Sequence, residues 1–243
     1  MMYFKTLIKS RYPALTSAWY HMRNSIWKLS QYVSLSGKHP AQVFDMIYRE
    51  NKWGDSSTRS GPGSNFAQTE VIRGVLPQLI VELNCKSLLD VPCGDFYWMN
   101  MIKMDLEYIG GDIVVELIET NQKIYGNENR RFILLDITQD RLPKSDLILC
   151  RDCLVHLSNS HIFRALANIK VSGSTYFLAT TFVDRNRNDD IPTGSWRPIN
   201  LQLSPFNFPT PMRLINEKSP QQDALGKSLG LWKISDISID QVE

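Results

Sequence analysis

The sequence predicts an α/β fold, a doubly wound, mostly parallel seven-stranded sheet with helices on both faces, and three observations predict it. Short apolar runs alternate with helix-length segments between about residues 87 and 182. The runs are apolar on both faces, so each needs cover on both sides, as in a parallel sheet joined by helical crossovers. The first run, Ser87–Val91, ends in an acid and turns through a single glycine, the sort of turn at which such sheets hold a ligand.

The strand candidates are 87–91, 107–112, 131–136, 145–150 and 174–182, with helices between them at about 97–104, 114–124 and 158–170. Downstream, "PMRLINEK" and "LGLWKISDISI" add two strands as an antiparallel edge. Upstream, "AQVFDMIYRENKWG" is helical by the spacing of Val43, Phe44, Ile47 and Tyr48 and stops at Gly54. A turn-rich stretch follows, and then a helix over 66–83 with Val71, Ile72, Val75, Leu76, Leu79 and Ile80 on one side.

Charge divides the chain differently. The first 44 residues hold six basic groups (Lys5, Lys9, Arg11, Arg23, Lys28, Lys38) and no acid, leaving 21 basic against 25 acidic groups in the remaining 199. Trp19, Trp27, Tyr3, Tyr20 and Tyr32 interleave with those bases. Residues 1–40 are read as a basic, aromatic, helical extension, with a helix over 14–33, and residues 41–243 as the main domain. The extension could pack on the body, touch anionic lipid, or meet a partner protein. Nucleic acid is not expected, since the body offers no matching basic stripe.

No apolar run approaches the ~20 residues of a membrane span, and the N-terminus lacks the apolar core and cleavage site of a signal peptide. Four cysteines in 243 residues do not make a disulfide scaffold, so a cytoplasmic location is expected, with a membrane-peripheral one as the alternative. Cys150 and Cys153 form a CxxC, but no turn residues separate them, and the Cys85–Cys93 spacing is not that of a zinc knuckle; no metal ligand is assigned, though Asp152, Asp184, Asp189 and Asp190 leave a divalent cation open.

The stretch "SLLDVPCGDF" decides the function class. A dinucleotide carries a pyrophosphate and needs a G-x-G-x-x-G turn, of which only Gly94 remains here. A ligand with an ammonium instead of a phosphate makes other demands, and Asp90 and Asp95 suit it. On these residues the chain resembles the class I S-adenosylmethionine-dependent methyltransferases, whose first motif, acid-x-G-x-G-x-G, stands at this place. "DVPCGDF" departs from it at the first and third glycines, Pro92 occupying the first.

Three later features carry the same resemblance across residues 85–182. Asp112 ends the second strand, 22 residues after Asp90, where the family places an acid on the ribose hydroxyls, with Ile113 beside it. Asp136 ends the third strand, where the family places an acid or amide near the adenine amino group, with Ile137 against the ring. "SDLILCRDCLVHLS" matches the strand that leads into the active site. A lone Asp at a strand end also serves as a helix cap or turn former; it is the register of the set that carries the reading. The resemblance implies S-adenosyl-L-methionine as cofactor and transfer of its methyl group.

A hydroxyl acceptor must lose its proton near the transition state, which calls for a general base. His156, just past the fourth strand, is the candidate, and Asp152 could orient it, contact substrate or form a turn. Arg151 could pair with Asp152 or an acidic substrate. The amine-methylating N-P-P-Y/F signature is absent after the fourth strand. "NKWGDSSTRSGPGSN" (51–65) would form a lid, with Arg59 on the cofactor carboxylate, Ser60 near it, the Gly61–Ser64 amides as an anion nest and Trp53 closing the pocket. Segment 184–211 would shape the acceptor pocket, and Trp196, Arg197, Asn200, Gln202 and Asn207 there either contact a carbohydrate, to which the set is suited, or simply pack the loop.

These segments together resemble small bacterial and viral methyltransferases that modify sugars of surface glycans. That resemblance implies O-methylation of a glycan hydroxyl; separately, the all-basic charge and interleaved aromatics of residues 1–36 suggest a contact with a membrane or a glycosyltransferase. The alternatives are methylation of another small molecule at N or O, a nicotinamide-dependent oxidoreductase, and a non-catalytic module.

Overall fold

The computed structural model describes residues 37–219, 221 and 224–239, together with Leu35. The helix expected over 14–33, and with it the lipid and partner contacts assigned to residues 1–36, lie outside the described residues apart from Leu35.

Seven strands form one sheet: β1 (Ser87–Asp90), β2 (Glu107–Asp112), β3 (Arg130–Leu134), β4 (Leu147–Cys150), β5 (Tyr176–Phe182), β6 (Arg213–Asn216) and β7 (Lys227–Lys233). Their order is β3-β2-β1-β4-β5-β7-β6. Strands β1 to β5 pair in parallel, and β7 runs antiparallel to both β5 and β6. The antiparallel edge expected near the C-terminus is present, with β7 inserted between β5 and β6.

Side chains alternate across the sheet, and each face carries its own core. Leu88, Leu147, Leu149 and Leu178 pack with Ile72, Leu76 and Leu79 of helix α2 (Glu70–Glu82) and with Leu117 and Ile118 of helix α3 (Val115–Tyr125). Leu89, Ile148, Cys150, Phe177 and Ala179 face the other way, onto Ile162, Ala165, Leu166 and Ile169 of helix α4 (Asn159–Val171). Those four α4 positions recur at the 3-4 spacing of one helix face. Ser158 caps the helix, its side chain accepting from the His161 amide, and Gly173 follows its end at φ +74°. The helix α1 (Pro40–Arg49) buries Val43 and Ile47, and Phe44 packs against both cores.

Three expected helices are shorter than the sequence pattern, and the one read over 66–83 begins only at Glu70. The helix read over 41–54 ends at Arg49, because Asn51 takes a left-handed backbone at φ 46°. The helix read over 97–104 is replaced by a single 3-10 turn, Met99–Met101. Its cause is Phe96, which enters at φ 58° and cannot begin a right-handed helix. The Phe96 ring is held there by Tyr108, Tyr125 and Phe132, with centroids 5.1–5.2 Å away.

Leu149 is fully buried at the sheet centre, its neighbours β1 and β5 on either side. Leu149→Ala is expected to cost about 2–5 kcal/mol and to lower the melting temperature by roughly 5–15 °C. Val81→Ala, on the exposed side of α2, should stay within about 0.5 kcal/mol of the parent in the same calorimetric measurement.

Candidate active site

The strand order reverses between β1 and β4, and a cavity of about 330 Å³ opens beyond the carboxyl ends of the strands there. Asp90, at the end of β1, is 3% exposed and accepts a hydrogen bond from the Tyr108 hydroxyl at 2.7 Å. Burial pushes its carboxyl up to about 7, against the lowering effect of Tyr108 and Arg151. Asp112, at the end of β2, accepts from the Gly94 amide and the Val114 amide, each at 3.1 Å. Burial outweighs these bonds and raises it to about 6. Both carboxylates line the cavity, as do Pro92, Gly94, Ile113, Asp136 and Ile137. Asp136 holds its own turn, accepting from the Thr138 amide and hydroxyl and from Gln139.

The turn after β1 keeps its shape with one glycine. Gly94 has φ +56°, and Ser60 rests directly against it, in the space a β-carbon would need. The close approach expected of a ligand at Gly94 is therefore made by the protein itself. Asn121 of α3 donates to the Gly94 carbonyl at 2.7 Å. Asp95, expected to face the cofactor ammonium, does not line the cavity; its carboxylate is taken by Thr58, Arg59 and Ser60.

Past β4 the chain delivers three more of the expected residues. Asp152 sits at φ 52° with its amide on the Thr180 hydroxyl at 2.8 Å. Its carboxylate meets Lys227 at 2.5 Å and Arg151 at 3.2 Å. Burial alone would raise Asp152, but these two cations hold it at about 2. Arg151 also reaches Glu217 at 2.7 Å, and Lys227 lies 3.3 Å from the second Glu217 oxygen. Arg151 thus belongs to an internally paired cluster and not to an acidic substrate. Lys227 and Glu217 escape the sequence analysis because they lie about 65 to 75 residues from their partners. Gly63 comes so close to Asp152 that a β-carbon would stand 2.6 Å from Oδ2.

His156 closes the set. Its Nδ1 lies 2.9 Å from the Ser195 carbonyl oxygen, which can only accept. The ring proton therefore sits on Nδ1 and Nε2 keeps its lone pair. Burial lowers its basicity, while the Ser195 carbonyl and Asp152 raise it. The orienting partner is thus the Ser195 carbonyl and not Asp152.

Trp53, Arg59, Ser60 and Gly61 line the cavity. The anion nest expected at Gly61–Ser64 is not formed: Pro62 has no amide proton, and the Ser64 amide donates to the Gly61 carbonyl at 3.0 Å. Segment 184–211 is likewise corrected. Of its five expected contact residues only Trp196 lines the cavity, set edge-on against Phe182. Arg197 is buried and donates to the carbonyls of Leu154 and Asp189 and to Asn159. Asn200 ties Arg185 to Gln202, and Asn207 turns the chain at φ 50°. The segment spends Ile199, Leu201, Phe206 and Phe208 on the core beside α4. Among the described residues no group of three His, Cys, Asp or Glu is placed to hold a metal ion, and no helix is long and apolar enough to cross a membrane.

A buried acid whose folded pKa is raised destabilises the fold where it is ionised, so stability from Asp90 falls as pH rises from about 4 to about 7. Asp90→Asn keeps an acceptor for Tyr108 and removes the charge. Its melting temperature should exceed the parent's by several degrees at pH 8, and the gain should shrink steadily toward pH 5.

Neither a family model nor a curated protein matches this sequence. Solved structures do. Human N-acetylserotonin methyltransferase, crystallised with S-adenosylmethionine, aligns with a TM-score of 0.58 at 15% identity, over 93% of this chain and 68% of that one. The 1,6-didemethyltoxoflavin-N1-methyltransferase of Burkholderia thailandensis, crystallised with 1,6-didemethyltoxoflavin and S-adenosylhomocysteine, aligns at 0.57 and 14% identity, over 84% of this chain and 89% of that one. Identities this low speak for the fold alone. The chain has the Rossmann-like fold of the class I S-adenosylmethionine-dependent methyltransferases.

Proposed function

We propose that this protein is an S-adenosylmethionine-dependent methyltransferase that acts on a hydroxyl of a sugar or glycan, with His156 as general base. The observation that carries the proposal is that two buried carboxylates, Asp90 and Asp112, and an imidazole with a fixed tautomer line one cavity at the switch point of this fold.

The residues present fit the cofactor. Asp90 is a single buried acceptor suited to an ammonium, and Asp112 retains lone pairs for a pair of hydroxyls after its two amide bonds. Ile113 and Ile137 give apolar cover for a planar ring, with Asp136 at its edge. Arg59 offers a cation for a carboxylate, and Trp53, Ser60, Gly61, Pro92 and Gly94 complete that part of the wall. When bound, S-adenosylmethionine supplies a methyl group already activated by a positively charged sulfur.

The protein's remaining work is to align the acceptor, exclude water and take up one proton. Nε2 of His156 accepts the hydroxyl proton, because Nδ1 is committed to Ser195. The imidazolium that results is stabilised by the ionised Asp152 nearby, which its cation partners keep charged. Trp196, 41% exposed and lining the cavity, provides an aromatic plate for the face of a sugar ring.

Two measurements test this. S-adenosylhomocysteine at about a hundred times its dissociation constant adds roughly 2.7 kcal/mol, so the melting temperature should rise by several degrees. NAD should leave it unchanged, and Asp112→Ala should abolish the response to S-adenosylhomocysteine. A rise with NAD alone would make the protein an oxidoreductase. The second measurement is turnover of a hydroxyl acceptor against pH. His156→Ala should reduce kcat by about 10²–10⁴ with S-adenosylhomocysteine affinity unchanged. In the parent the rate should fall on acidification with a midpoint below the 6.5 of an ordinary histidine, since burial lowers that of His156 and only the neutral ring accepts a proton. Full activity in His156→Ala on that hydroxyl would show that His156 is not the base.

A further inference from the structure

Segment 51–65 is fastened over the cavity at one carboxylate. Oδ2 of Asp95 accepts from the Thr58 hydroxyl at 2.7 Å and the Arg59 amide at 2.9 Å. Oδ1 accepts from the Ser60 hydroxyl at 3.1 Å, and the Asp95 amide donates back to the same hydroxyl at 2.8 Å. A second tie lies beyond the segment, where Phe66 stacks on Tyr97 with centroids 4.5 Å apart. Both ties end on the turn that follows β1.

Fixing Ser60 also fixes Gly61, which has φ +85° and lies so close to Trp53 that a β-carbon would stand 3.0 Å from the Trp53 Cβ. The Trp53 ring in turn lies against His156, centroids 5.0 Å apart and planes 34° from parallel, with Phe44 of α1 at 6.5 Å on another side. His156 is therefore held at its edge by the Ser195 carbonyl and on its face by an indole carried on the fastened segment.

We propose that Asp95 and Trp53 are positioning residues: Asp95 latches segment 51–65 shut, and Trp53 transmits that latch to the ring of His156. The proposal deepens the reading of His156 as the base, but the latch is a property of the chain that can be measured without any acceptor. The groups that face His156 are known. Asp152 and the Ser195 carbonyl raise its basicity, Arg197 and Lys227 lower it, and burial is the largest influence and lowers it further. Releasing Trp53 uncovers the ring, so the ring should then titrate closer to 6.5.

The test is a nuclear magnetic resonance titration of the histidine ring protons in the full chain, with His156 assigned by its loss in His156→Gln. The parent and Trp53→Phe should titrate below 6.5, the second ring still covering the first. Trp53→Ala, Asp95→Ala and the double variant Thr58→Val with Ser60→Ala should each move His156 upward by roughly 0.5 or more. The double variant keeps every side chain of the turn after β1 and decides the matter if Asp95→Ala does not fold. The proposal is overturned if Trp53→Ala leaves His156 where it is. It is equally overturned if Trp53→Ala moves His156 while the folded latch variants do not. Calorimetric titration of the parent with S-adenosylhomocysteine is run alongside. An absence of binding there sinks the methyltransferase reading and leaves the latch result standing.

Discussion

One carboxylate holds the cavity in shape. Asp112 stands at the end of β2 and accepts from Gly94, in the turn after β1, and from Val114, at the entrance to α3. Without it two amides at the sheet's edge would lose their partners, which costs more than the bonds themselves contribute. Asn121 reaches back from α3 to the Gly94 carbonyl, so the turn is gripped by both its donor and its acceptor. This grip explains how the turn survives with a proline and a phenylalanine where a glycine-rich loop would be more permissive. Phe96 keeps a backbone conformation that glycine adopts freely, and the aromatic cluster around its ring offsets the strain.

The central strands were legible because both sides of each are apolar, and Leu88 and Leu89 or Leu147 and Ile148 report the two faces directly. Asp90, Asp112 and Asp136 were legible because parallel strands place their carboxyl ends along one edge of the sheet, and each of the three stands at or just past such an end. Periodicity reports which face a residue occupies and not its φ, so the helix expected over 97–104 dissolved at Phe96. Nor does it report who bonds to whom. Asp95 looked like a ligand acid because it follows the glycine, yet its partners come from 35 to 37 residues upstream.

Arg197 and Asn200 looked like donors to a substrate, and the structure spends them on backbone carbonyls. Lys227 did carry a signal. It opens a strand that is buried for six of its seven residues, and a lysine in such a place needs an anion beside it. Sequence alone does not say that the anions are Asp152 and Glu217.

Those four groups have a consequence for whatever enters the cavity. Arg151 and Lys227 supply two cations and Asp152 and Glu217 two anions, so the cluster sums to zero across the ends of β4 and β7. Arg151, Asp152 and Lys227 line the cavity, and the buried Glu217 completes the charge balance from outside the lining. A phosphate or carboxylate pressed against that lining would surrender its water without gaining an unbalanced counter-ion, a poor exchange for an ion. A neutral polyol would trade one set of hydrogen bonds for another. On the proposed reading, that balance favours an uncharged acceptor over an ionised one.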